Sequence, residues 1–176
     1  MTGFITFTIC IMSIVATIVV HEIGHFLAGI IFGIPIKRLK ICLWTFPQYV
    51  AIKDSNKWIS PFERELYIEK SKEFIKSKVG AFFFVAGGFI MQTIVFSAVI
   101  IGLLSLNYNQ TLTKSITLAI VLQLFLYLIY DFKKTGIAKK PYGDFTSLLT
   151  ISRLATYIVM IPIILTHLII LYYVSN

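Results

Sequence analysis

Four long apolar stretches alternate with polar segments along this chain. They cover about residues 4–34, 79–106, 112–131 and 151–174. Each reaches the roughly 20 residues that an α-helix needs to cross a hydrocarbon core of about 30 Å. The pattern therefore predicts an all-α polytopic membrane protein with about four transmembrane helices, forming a single integral-membrane domain over residues 1–176.

The segment between the first two stretches has a different pattern. Residues 36–42 and 48–52 are short β-prone runs on either side of a turn that contains Pro47, which predicts a short β-hairpin. An exposed hairpin edge is suited to pairing with an extended peptide, although a plain interfacial loop explains the pattern equally well. The order of residues after the hairpin is typical of a helix start, with an N-cap at Ser60, a first-turn proline at Pro61 and an acid at Glu63. We expect an amphipathic interfacial helix from there to about Lys78.

Composition and charge narrow the class of protein. With 57% hydrophobic and 14% charged residues, the chain is too apolar for an ordinary soluble domain. Most of its 16 lysines and arginines lie between the first and second stretches or between the third and fourth, and residues 107–111 carry none. The positive-inside rule then predicts a multi-pass protein of the cell membrane, with both connections cytoplasmic and both termini outside. We attribute the net charge of +8 to contact with anionic lipid of the bilayer, and expect no nucleic-acid partner.

One motif carries ionisable groups into the first apolar stretch. His21-Glu22-Ile23-Gly24-His25 interrupts an otherwise uncharged run and uses two of the three histidines of the chain. Residues four apart share a helix face, so His21 and His25 can bind one Zn²⁺ while Glu22 serves as the base for a water molecule. Ionisable groups at bilayer depth are costly, which favours a function over a purely structural role. The motif therefore predicts a catalytic zinc site towards the cytoplasmic side.

A catalytic zinc usually takes three protein ligands, so the motif needs one more. His167 lies 23 residues beyond Asp144, which corresponds to about 35 Å along a helix towards the outer side. It is therefore too far from the motif, and we interpret it as an interfacial or helix-contact residue. Asp131 and Asp144 both lie on the cytoplasmic side and both remain candidates. Asp131 precedes Lys133 and Lys134, where an interfacial charge is the simpler interpretation.

The motifs resemble those of a known family. The segment from His21 to Gly29, followed by Gly33-Ile34-Pro35 and a basic β-prone stretch, is similar to the start of the site-2 protease family of intramembrane zinc metalloproteases. Further small and acidic motifs of that family correspond to Ala86-Gly87-Gly88 and Gly143-Asp144. Gly88 stands where the family usually has Pro, and Phe145 where it usually has Gly, so the resemblance is to a divergent, minimal member.

The resemblance implies a function and a set of site residues. It implies one Zn²⁺ per chain on His21, His25 and Asp144, with Glu22 as the catalytic base. The enzyme would be a zinc metalloendopeptidase that hydrolyses peptide bonds of a membrane-anchored protein or peptide. Substrate would be bound near three residues of the second stretch, Gly87, Gly88 and Gln92. The alternative roles are close helix packing for the two glycines and a helix-to-helix hydrogen bond for Gln92.

A protein that binds metal without hydrolysis is the alternative function. It would be an inactive relative or a metal transporter. Glu22 discriminates between the two classes, because a transporter needs ligands but no base beside them. A transporter is also expected to carry polar residues along a path across the membrane, and the second and third stretches offer only isolated ones such as Gln92 and Gln123.

Overall fold

The computed structural model describes residues 2–176, which form six α-helices and one small three-stranded sheet. In chain order the elements are α1 (Thr2–Ile31), β1 (Leu39–Cys42), β2 (Tyr49–Asp54), β3 (Lys57–Ile59), α2 (Arg64–Phe74), α3 (Lys78–Ser105), α4 (Gln110–Ala138), α5 (Asp144–Ile151) and α6 (Arg153–Ser175). By length and composition, α1, α3, α4 and α6 are each able to cross a membrane. The prediction of an all-α polytopic membrane protein with four spans is confirmed.

Side-chain caps fix where three of the long helices begin. Ser77 accepts a hydrogen bond from the Gly80 N–H at 2.9 Å at the start of α3, and Asn109 accepts one from the Leu112 N–H at 3.1 Å at the start of α4. Ser152 serves α6 in the same way. These caps satisfy backbone donors that have no partner within the helix. The starts of α3 and α4 therefore lie within two residues of the predicted ones.

The predicted hairpin is present and is extended by a third strand. β1 pairs with β2 in antiparallel register, from Leu39 opposite Ile52 to Cys42 opposite Tyr49, and β2 pairs with β3. The register points Leu39 and Ile52 to one face, which is buried against the ends of α1 and α3 together with Ile34, Ile75 and Phe84. The sheet is thus held by apolar packing at the end of the helical body where α1 ends.

The amphipathic helix is shorter than predicted. α2 begins at Arg64 because Ser60 to Glu63 form a turn, in which the Glu63 N–H donates to the Ser60 carbonyl at 3.0 Å. Ser60 is therefore not the N-cap, although its N–H contacts the Glu63 carboxylate at 3.4 Å. The helix ends at Phe74 because Ile75 is 4% exposed and leaves the helical conformation to enter the core.

The chain between the third and fourth spans also differs from the prediction. α4 continues to Ala138 instead of ending near residue 131, because Lys133 and Lys134 end the apolar run without breaking the helix. Asp144 then opens α5, a separate helix of 8 residues. Ser152 has an extended backbone and divides α5 from α6.

Helices α1 and α3 approach closely through glycines. A Cβ built on Gly87 would lie 2.7 Å from the Gly24 carbonyl oxygen and 2.8 Å from the Ala28 Cβ. Such close backbone approach is typical of membrane helix interfaces. It places the face of α1 that carries the histidine motif directly against α3, while the first half of α1 exposes large apolar residues such as Phe4 and Phe7.

Candidate metal centre

Three side chains from two distant parts of the chain meet at one point. His21 Nε2 lies 3.0 Å from Asp144 Oδ2, His25 Nε2 lies 3.2 Å from the same oxygen, and the two nitrogens are 3.1 Å apart. A tetrahedral zinc with bonds of about 2.0–2.1 Å separates its ligand atoms by about 3.3 Å. The triangle is close to this size, and the structure brings together the three predicted ligands in a group that could hold a metal ion.

The hydrogen bonds behind this triangle determine which atoms carry protons. His21 Nδ1 faces the Gln92 Oε1 at 3.1 Å and His25 Nδ1 faces the Phe84 carbonyl at 2.9 Å. Both partners only accept, so both Nδ1 atoms donate, and when the rings are neutral both Nε2 atoms present lone pairs. The Asp144 oxygen adds a third. Three lone pairs within about 3 Å repel one another unless a proton or a metal ion lies between them. Two imidazole nitrogens and one carboxylate oxygen are a donor set that fits a metal ion.

Glu22 lies beside this triangle with its carboxylate unused. It is 7% exposed, like the neighbouring histidines at 8% each. Within residues 2–176 no hydrogen bond to its carboxylate is formed. A buried carboxylate without a donor is costly, and its oxygens remain available to a water molecule at the site.

The predicted substrate-binding residues of α3 have distinct surroundings. A Cβ built on Gly88 would lie 2.5 Å from His21 Nε2 and 2.6 Å from His25 Nε2, so the absence of a side chain there leaves the triangle open. Gly87 packs against α1, and Gln92 makes the bond to His21, which are the two alternatives to substrate binding. Contact of any of the three with substrate remains a prediction.

Tyr127 of α4 holds the third ligand. Its hydroxyl donates to Asp144 Oδ2 at 3.0 Å and accepts from the Asp144 N–H at 3.0 Å. The ring also lies against Phe89, with ring centroids 5.7 Å apart. One side chain thus fixes both the backbone and the carboxylate of the ligand, a role typical of residues that orient metal ligands.

Asp131 is not the interfacial charge that the sequence predicted. It is fully buried, at 0% exposure, and accepts hydrogen bonds from the Gly143 and Thr146 N–H groups at 2.8 and 2.9 Å. The prediction failed because Lys133 lies at the surface while Asp131 points inward from the same helix. Asp131 is not a member of the ligand triangle, and it lies behind the loop that carries Asp144.

His167 lies within the helical body of the protein, apart from the ligand triangle. It is 0% exposed, its Nδ1 donates to the Ile163 carbonyl at 2.8 Å, and its ring stacks on Phe96 with centroids 4.7 Å apart. The prediction that it contacts a neighbouring helix and does not bind the metal agrees with this placement. It is too deeply buried to be an interfacial residue.

The sheet is linked to the site through α2. The Tyr67 hydroxyl donates to the Val50 carbonyl of β2 at 2.9 Å, and the Tyr67 ring stacks on Phe84, whose carbonyl holds His25. Burial raises the pKa of Tyr67 well above its usual value, and the nearby Asp144 and Glu22 raise it further. The hydroxyl therefore remains a donor, and sheet, surface helix and metal centre are packed as one unit.

No family model, no characterised protein and no solved structure matches this chain.

The supporting residues of the site were not evident from the sequence, whereas the proposed ligands were. Neither Tyr127 nor Asp131 was recognised as a supporting residue, although their spacing of four residues places them on one face of α4. An aspartate near the end of an apolar run was the available signal. The acidic residues give a second one: of the eight in the chain, only Glu22, Asp131 and Asp144 lie outside residues 54–73, and all three meet at this site.

Proposed function

We propose that this protein is an intramembrane zinc metalloprotease that hydrolyses a peptide bond of a membrane-embedded protein or peptide. The observation that carries the proposal is the convergence of three possible ligand atoms, from His21, His25 and Asp144, beside the unused carboxylate of Glu22. Two nitrogens and one oxygen form the donor set of a catalytic zinc site that keeps a fourth position open. The resemblance of the motifs to the site-2 protease family supports the same function.

The chemistry divides between the metal and the chain. A zinc ion held by His21, His25 and Asp144 would supply Lewis acidity, which would lower the pKa of a water molecule and polarise the scissile carbonyl. Glu22 takes the proton of the attacking water on a carboxylate oxygen and delivers it to the nitrogen of the leaving amine. Gln92 and the Phe84 carbonyl keep both imidazoles in the tautomer that presents Nε2.

Access to the site is limited to one side. The side chain of Asp144 is 28% exposed, whereas those of His21 and His25 are 11% and 10% exposed. Water and substrate therefore approach from the side of Asp144, which we propose faces the cytoplasm. A transmembrane substrate helix has all its backbone hydrogen bonds satisfied internally, so it must unwind locally before attack. β1 is an edge strand of the sheet and offers unpaired backbone groups to an unwound segment.

Glu22→Gln tests the proposal, because this change keeps size and polarity and removes the base. The variant is expected to bind one zinc per chain with unchanged affinity and to lose hydrolysis. The readout is a comparison of membrane peptides by mass spectrometry between cells with the wild-type chain and cells with the variant, in which uncut substrate accumulates. Glu69→Gln, at an exposed position of α2, is the matched control and should leave the peptide pattern unchanged.

Two outcomes would count against the enzyme. Cleavage at the normal rate by fully zinc-loaded Glu22→Gln would refute the role of Glu22 as base. Zinc bound by both forms, with no peptide that differs between wild type, Glu22→Gln and a strain without the protein, would favour a metal-binding protein without hydrolysis.

A further inference from the structure

Helix α5, which carries the third ligand, has no capping side chain of its own. It begins at Asp144 and its N-cap residue is Gly143. The first N–H groups of a helix have no partner within it, and a side chain usually supplies one. Here the partner comes from another helix.

Asp131 of α4 occupies the capping position. Its Oδ1 accepts from the Gly143 N–H at 2.8 Å and its Oδ2 accepts from the Thr146 N–H at 2.9 Å. The Thr146 hydroxyl donates to Oδ1 at 2.6 Å, and the Thr135 hydroxyl lies 3.3 Å from the same oxygen. The two backbone N–H groups can only donate, one to each oxygen, so the arrangement requires a carboxylate that accepts with both oxygens.

Gly143 provides the space for this contact. A Cβ built on it would lie 2.7 Å from Asp131 Cγ and 2.9 Å from the Tyr127 hydroxyl oxygen. Its backbone, with φ −108° and ψ −168°, is one that any residue adopts, so close approach is what excludes a side chain here. Gly143, which precedes Asp144, is thus in close contact with the Asp131 and Tyr127 side chains of α4.

The contacts bracket the ligand on both sides along the chain. Asp131 holds Gly143 and Thr146, and Tyr127 holds the N–H of Asp144 between them. The backbone of the ligand therefore has little freedom to move relative to α4. Asp131 does not touch the ligand triangle itself, so its effect on the site is exerted through the loop.

We propose that Asp131 is a positioning residue of the metal centre, which caps α5 from the neighbouring helix and thereby fixes Asp144 at ligand distance from the two histidines. This inference rests on the proposed function, because it takes the triangle to be a metal site. It assigns to Asp131 a role different from that of a ligand and different from that of a surface charge.

The test is the zinc affinity of the full-length protein, measured by competition with a chelator in detergent micelles. Asp131→Asn keeps the size of the side chain but turns an amide NH₂ towards a backbone N–H, whichever way the amide is oriented. We expect zinc affinity to fall 10- to 100-fold, as is typical when a residue that orients a ligand is lost. Thr117→Val is the matched control, since Thr117 is equally buried on α4 and its hydroxyl bonds only within the helix.

A double-mutant cycle separates positioning from general stability. In an Asp144→Ala background the ligand is absent, so adding Asp131→Asn should change zinc affinity by less than about twofold. Should Asp131→Asn not fold, Gly143→Ala serves as the second variant and is expected to weaken zinc binding by a similar factor.

The outcomes distinguish the two proposals. A wild-type chain that binds no zinc refutes the proposed function and this inference with it. A wild-type chain that binds zinc, with Asp131→Asn or Gly143→Ala of unchanged affinity, refutes the inference alone. An equal loss of affinity with and without Asp144 also refutes it, because Asp131 would then act on the fold as a whole.

Discussion

Gly88→Ala tests whether the space between the two imidazoles holds a metal ion. The added methyl group would lie 2.5 Å from His21 Nε2 and 2.6 Å from His25 Nε2. A Cβ essentially never approaches another heavy atom closer than 3.0 Å, so the nearer ring must move by about 0.5 Å. The change is confined to the open side of the triangle and removes no ligand and no hydrogen bond.

The size of this shift sets the expected effect. Zinc sites keep their bond lengths within about 0.2 Å of ideal values, so a displacement of about 0.5 Å takes a nitrogen out of coordination. Altering a group that only orients a ligand already costs 10- to 100-fold in affinity. We therefore expect Gly88→Ala to weaken zinc binding at least 100-fold, which corresponds to about 2.8 kcal/mol.

The assay needs a control for the helical effect of alanine itself. Alanine is favoured over glycine in a helix by roughly 1 kcal/mol, and this applies equally to Gly102→Ala on the same helix, where no atom lies within 4 Å of the new Cβ. Chelator competition on both purified variants, with melting temperatures of the metal-free forms, separates affinity from folding. Zinc affinity within threefold of wild type in well-folded Gly88→Ala would show that the triangle is not the metal site.

Three further predictions address the supporting residues and the orientation. Tyr127→Phe removes the hydroxyl that both donates to and accepts from the aspartate ligand, and chelator competition should show zinc binding weakened about 10-fold. Gln92→Leu leaves the Nδ1–H of His21 without an acceptor in a buried site, and we expect a similar loss in the same assay. A single cysteine near Lys57 should be shielded from an impermeant thiol reagent in intact cells, whereas one near Asn109 should be labelled.

Each of these three predictions has a control variant or a result that would contradict it. Tyr157→Phe, at a half-exposed position of α6, should leave zinc affinity unchanged. Gln123→Leu should do the same, because its buried side-chain oxygen has no partner among residues 2–176. An equal effect of Gln92→Leu and Gln123→Leu would mean that the bond to His21 is irrelevant. Labelling only near Lys57, in a background without Cys10 and Cys42, would reverse the predicted orientation.

The sequence was sufficient for the elements whose signals are local. The four spans follow from run length, and the contact of the two histidines follows from their spacing of four residues on one helix. The caps at Ser77 and Asn109 were not predicted, although their signal is also local, since each acts on a residue three positions further along the chain. β3 was missed because it has only three residues, which is too short to produce an alternating pattern.

The hydrogen bonds that hold the loop of Asp144 could not be predicted from local sequence patterns. Asp131 looked like a surface charge because lysines follow it, and only the direction in which α4 faces distinguishes a buried aspartate from an exposed one. Asp131 bonds to the backbone N–H groups of Gly143 and Thr146. Nearly every residue type has a backbone N–H, so the sequence does not mark these partners. The capping of one helix by a residue of another is a tertiary contact, so sequence spacing cannot predict it.

The three acids of this site differ in how their charge is compensated, and the difference agrees with the roles that we propose. Asp131 accepts from backbone and hydroxyl donors, and Asp144 accepts from the Tyr127 hydroxyl. Both charges are thereby fixed in place. Glu22 is as deeply buried as the histidines, yet no donor within residues 2–176 holds its carboxylate. A carboxylate that must accept a proton and release it in each turnover is hindered by fixed donors, which favour its charged form. The acid without them is the one proposed as the base.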